Sequence, residues 1–92
     1  MLVLTYFNWA GKPEEFKEFT GRIKSVGDGV KGVKLVGIFI PTSEWHYVMI
    51  WDVASYEKVL QTYKAYSEKY GRLNFSLGKM ELLHTLEEIP FL

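Results

Sequence analysis

Val33-Lys34-Leu35-Val36-Gly37-Ile38-Phe39-Ile40, closed by Pro41-Thr42-Ser43 and followed by Trp45-His46-Tyr47-Val48-Met49-Ile50-Trp51, is the stretch whose reading decides the fold. Both runs are rich in β-branched and aromatic residues. The turn residues between them predict a hairpin, with one strand over 33–40 and the next over 45–53. A sheet with one wet face alternates apolar and polar residues along each strand. The first run carries one charge in eight residues, and the second carries none with His46 neutral. Both faces of these strands are therefore expected to be covered.

On the N-terminal side, Val3 to Trp9 is a third such run, ended by Ala10-Gly11-Lys12-Pro13, and predicts a strand over 2–9. Pro13 suits the first position of a helix, and Glu14 and Glu15 in its first turn complement the helix dipole. Phe16, Phe19, Ile23 and Val26 recur at helical spacing, so this helix is expected over 13–27. Gly21 inside it costs roughly 1 kcal/mol against Ala, and close packing on a sheet is the expected reason. On the C-terminal side, Ser55 is expected to cap a helix over 55–70, with a stripe of Tyr56, Val59, Leu60, Tyr63, Tyr66 and Tyr70 and with Gly71 at its end. Residues 75–86 predict a last strand interrupted near Gly78. In the tail 87–92, Ile89, Phe91 and Leu92 are available for packing.

The order is βαββαβ over a single domain, residues 1–92. Right-handed crossovers place both helices on one sheet face, which gives a ferredoxin-like α+β fold with a four-stranded antiparallel sheet. The helices can cover only one face. The expected cover for the other is a second copy, a homodimer formed through the sheet face.

Composition narrows the function classes. A chain of 92 residues without Cys excludes a disulfide scaffold and Cys-ligated zinc. A hydrophobic content of 48% excludes intrinsic disorder. Eleven Lys and Arg balance eleven Asp and Glu, so no excess of positive charge argues for nucleic acid or an anionic membrane. No segment approaches the roughly 20 apolar residues of a membrane span. The first residues lack the basic region and cleavage site of a signal peptide, and the expected location is cytoplasmic. Lys and Glu dominate the charges beside a single Gln, which leans toward a thermophile source.

With Asn8 near the end of the first strand and Trp51-Asp52 where the third hands over to a helix, the pattern resembles the dimeric α+β barrel superfamily. That group includes antibiotic-biosynthesis monooxygenase-like, muconolactone-isomerase-like and stress-responsive barrel proteins, and small families of unknown function. The resemblance implies two facing sheets and a pocket in each monomer. Monooxygenase-like and haem-degrading members use a strand-one Asn with a Trp and a His from the second helix. Asn8 matches the first, whereas this chain has Leu60 and Tyr70 at the corresponding helical positions and no His in that helix. Haem degradation is not implied, and no cofactor is expected.

Several constellations compete with structural roles. Gly27-Asp28-Gly29-Val30-Lys31-Gly32 matches a dinucleotide-binding spacing, but it follows a helix and precedes a strand, the reverse of what that chemistry needs. His46 and His84 are the only histidines. His46 and Asp52 lie six residues apart, about 20 Å along a strand, too far to share a metal, so no metal site is expected. Asn8, His46 and His84 are the candidates for proton handling in a cofactor-independent enzyme. Asn8, Tyr6, Trp51, Tyr63 and Tyr66 are the candidates for lining a pocket that takes a small apolar or aromatic molecule. The same strand order occurs in the RNA-recognition motif, but Ser43-Glu44-Trp45-His46-Tyr47 lacks its Lys/Arg-Gly opening, and zero net charge removes the phosphate attraction. Three functions remain: a binding protein without catalysis, a monooxygenase- or isomerase-like enzyme, and an assembly module.

Overall fold

In the computed structural model, which describes residues 1–72 and the strand segments 75–76 and 83–86, the chain runs β1 (Leu2–Trp9), α1 (Pro13–Asp28), β2 (Val33–Phe39), β3 (Tyr47–Val53), α2 (Tyr56–Tyr70), β4 (Phe75–Ser76) and β5 (Leu83–Leu86). It is an α+β protein whose antiparallel sheet has the order β2-β3-β1, with β4 and β5 both against the far side of β1. The last strand expected over 75–86 is thus met by two segments. They pair as Asn8 with Ser76 and as Leu2 with Leu86. Gly78 and the tail with Ile89, Phe91 and Leu92 lie outside the described residues.

Register fixes which side chains meet the helices. Val3, Thr5 and Phe7 of β1 stand opposite Trp51, Met49 and Tyr47 of β3. This set packs with Phe19 and Ile23 of α1 and with Val59, Tyr63 and Tyr66 of α2 to form the core. The other set pairs Leu2 with Asp52, Leu4 with Ile50 and Tyr6 with Val48 on the second face. It is apolar except at its ends, as the strand composition anticipated.

β2 departs from strict alternation through a bulge. The register with β3 slips between Leu35 and Gly37, leaving Val36 as the extra residue. Val33, Leu35 and Ile38 consequently all pack toward the core. Val36 and Phe39 are about half exposed. The long apolar run of this strand therefore reflects the inserted residue as well as two apolar faces.

The helices form where expected, with three differences. Gly21 is exposed, and a Cβ there would meet nothing within 4 Å. The close-packed glycine of α1 is Gly27, where a Cβ would stand 2.9 Å from the Trp51 ring. In α2 the buried positions are Val59, Thr62, Tyr63 and Tyr66, while Leu60 is exposed. Thr62 is accommodated because its hydroxyl donates to the Lys58 carbonyl at 2.8 Å. Ser55 holds the N-cap position, but its side chain makes no capping bond. Gly71 ends the helix at φ 85°, a left-handed value that suits glycine.

β3 begins at Tyr47, so Trp45 and His46 belong to the connection 40–46 and not to the strand. The reason lies in the next pair along the ladder. The His46 backbone N–H is taken by the Asn8 side-chain oxygen at 3.0 Å, and the Trp9 backbone N–H by His46 Nδ1 at 3.2 Å. Side chains thus close the β1–β3 pairing at this end. Among the described residues no helix is long and apolar enough to cross a membrane.

Candidate functional site

α1 starts four residues after β1 ends, and α2 ends just before β4 pairs back onto Trp9. The start of α1, the end of α2 and the end of β1 therefore meet at one edge of the helical layer. A cleft of about 290 Å³ opens there, near the low end of the range for small-molecule sites. Trp9, Phe19, Tyr66 and Tyr70 supply its aromatic wall, and Glu15, Glu18, Arg22 and Arg72 its charges.

Each ring of the wall is held by another. Trp9 lies 5.2 Å from Phe16 and 5.1 Å from Phe19 between ring centroids, and its indole N–H donates to the Lys12 carbonyl at 2.9 Å. Phe19 meets Tyr66 at 5.6 Å, and Tyr66 meets Tyr70 at 5.1 Å. Gly11 lets the turn pass the Trp9 indole closely: a Cβ there would lie 2.9 Å from that ring. These offset and edge-on contacts fix the wall before any ligand arrives.

The charges are arranged around Arg22. Its guanidinium pairs with Glu18 one helical turn earlier and lies 4.7 Å from the centroid of the Tyr70 ring. It also stands beside the Tyr66 hydroxyl. Burial pushes the Tyr66 phenol above its ordinary pKa, and Arg22 partly offsets that shift. The chain contains two arginines, at positions 22 and 72, and both line this cleft.

The residues expected from the sequence do not gather in one place. Tyr66 is in the cleft. Trp51 and Tyr63 are in the core, where the Trp51 indole N–H donates to the Tyr63 hydroxyl at 3.2 Å and that hydroxyl donates to Thr5 Oγ1 at 2.7 Å. Burial pushes the Tyr63 phenol well above its ordinary pKa. Tyr6 stands on the second sheet face, and Asn8 and His46 are joined at the end of the β1–β3 ladder. His84 is placed by backbone register alone, opposite Leu4. No group of His, Asp and Glu gathers in a metal-binding arrangement among the described residues.

Of the cleft residues only Tyr66 was among the expected pocket residues; Trp9, Glu15, Glu18, Phe19, Arg22, Tyr70 and Arg72 were not. The available signal was the scarcity of arginine beside nine lysines, together with Glu18 and Arg22 at i and i+4. A shallower groove of about 610 Å³ runs between α1 and the edge strand β2, past Phe16, Gly21, Lys24, Val36 and Ile40. It is more open to solvent than the cleft, and its polar side chains are Thr20, Lys24 and Tyr47.

No protein family, curated protein or solved structure matches this chain.

Proposed function

We propose that this protein binds a small aromatic molecule, without catalysis, in the cleft between the start of α1 and the end of α2. The observation that carries the reading is the preorganised wall of Trp9, Phe19, Tyr66 and Tyr70, with the Arg22 guanidinium set over one of its rings. A ligand would find these rings already held in place, so little ordering entropy would oppose its binding. The enzyme alternative draws on Asn8, His46 and His84, of which Asn8 and His46 are occupied in accepting backbone N–H groups.

The strand order supports a ferredoxin-like domain with a four-stranded sheet, and the apolar second face supports pairing with another copy as a dimeric α+β barrel. Leu4, Tyr6, Ile50 and Phe39 would form that contact. Titration calorimetry with indole tests the binding reading. Saturable binding that is weakened in Tyr70→Ala but kept in Ile40→Ser, which alters the open groove, supports it. Binding lost in Ile40→Ser and retained in Tyr70→Ala contradicts it.

A further inference from the structure

We infer that the molecule taken by the cleft is an aromatic zwitterion: a flat ring carrying an ammonium and a carboxylate, the chemistry of a free aromatic α-amino acid. The inference rests on the aromatic-binding reading above and adds the ligand's charges to it. Four charged side chains line the cleft, two acidic and two basic. Glu18 and Arg22 satisfy each other. The Arg22 guanidinium also lies 4.7 Å from the centroid of the Tyr70 ring and stands beside the Tyr66 hydroxyl. This pair is part of the wall.

Glu15 and Arg72 differ, because neither has an ion-pair partner among the described residues. Glu15 rises from the first turn of α1 at the Trp9 side. Its Oε2 lies 3.1 Å from the point a Cβ on Gly11 would occupy, and that same point is 2.9 Å from the Trp9 ring. Arg72 follows Gly71, two residues beyond Tyr70. Among the described residues, one anion without an ion-pair partner thus belongs to the Trp9 side of the cleft and one such cation to the Tyr70 side, with Phe19 and Tyr66 also lining the space.

Glu15 is half-buried and Arg72 exposed, so a ligand in the cleft displaces water only from the side of each group that faces it, and that side gains from a charged partner. An uncharged ring would leave both unpaired, and a ring with one charge would leave one. An ammonium toward Glu15 and a carboxylate toward Arg72 satisfy both, the latter in the geometry a guanidinium fork favours. The volume of about 290 Å³ suits a single ring system.

The test is titration calorimetry with tryptophan, indolepropionate, tryptamine and indole, which share a ring and carry both, one or neither of the two charged groups. Tryptophan is expected to bind about tenfold more tightly than either singly charged analogue, the worth of one charge-assisted hydrogen bond. Arg72→Ala should abolish the advantage of tryptophan over tryptamine, and Glu15→Gln its advantage over indolepropionate. Circular dichroism checks that both variants keep the wild-type fold. Equal binding of indole and tryptophan overturns the inference and leaves the aromatic-binding reading standing. Binding of none of the four to the folded protein overturns both.

Discussion

Asn8 and His46 stand one step beyond the Phe7–Tyr47 pair, and each uses its side chain to accept a backbone N–H from the opposite chain segment. Asn8 Oδ1 takes the N–H of His46, and His46 Nδ1 takes the N–H of Trp9. The ladder ends without loose donors, and the Trp9 backbone is fixed where its indole forms the cleft wall.

Both residues should therefore behave as stability residues. Asn8→Ala and His46→Ala are each expected to lower unfolding stability by about 0.5–1.5 kcal/mol, the net worth of one hydrogen bond. Urea denaturation monitored by circular dichroism measures this. Unchanged midpoints in both variants would contradict the ladder role and return them to the list of free functional groups.

The buried Trp51–Tyr63–Thr5 chain makes a sharper case. Tyr63→Phe leaves the Trp51 indole N–H and the Thr5 hydroxyl without their shared partner, at an expected cost of about 1–3 kcal/mol. The same residue sets a pH limb. Burial raises the folded pKa of Tyr63 above its unfolded value near 10. Above that pH the unfolded chain releases the proton and the native protein keeps it, so stability falls by up to about 1.4 kcal/mol per pH unit. Denaturation series from pH 9 to 11 should show a shallower decline in Tyr63→Phe than in wild type. Parallel declines would assign the alkaline loss to other groups.

Two glycines of one helix should respond in opposite directions. Gly27→Ala drives a methyl group against the Trp51 ring and is expected to destabilise by about 1–3 kcal/mol. Gly21→Ala meets nothing and is expected to stabilise by about 0.5–1 kcal/mol, raising Tm by several degrees. Thermal unfolding of the two variants beside wild type decides the matter. A stabilised Gly27→Ala would show that the helix does not rest on Trp51 as described.

Assembly through the second sheet face has its own readout. Light scattering should give twice the 10.7 kDa of the chain, and Phe39→Asp, which places a charge over Gly37 on that face, should shift the mass toward the monomer. A wild-type monomer at high concentration would contradict the pairing.

The helices and β1 could be read in the sequence because each carries one uninterrupted period, and β2 and β3 because β-branched and aromatic runs flank a turn. Phe16, Phe19 and Ile23 keep the helical spacing, and Val3, Thr5 and Phe7 keep the strand spacing with only the threonine breaking the apolar series. The β2 bulge could not be read, since an extra Val36 in an apolar run looks like more apolar strand. Gly21 and Gly27 were indistinguishable as residues. Only the position of Trp51 across the sheet tells which one is in close contact. The cleft was the least legible part. Its charges come from residues 15 to 22 and from position 72, and nothing local in the sequence says that the start of one helix meets the end of the other. The Tyr stripe of α2 pointed near it, but alternation along β1 drew attention to Tyr6 and Asn8, on the face away from the helices.

The most direct test of ligand binding in the cleft is a titration of the ¹⁵N-labelled protein with indole, followed by two-dimensional NMR. The expected result is a progressive shift of the Trp9 indole N–H and of the Arg22 and Tyr70 amides, with the buried Trp51 indole unmoved. Shifts confined to Val36, Ile40 and Gly21, along the groove beside β2, would contradict the account.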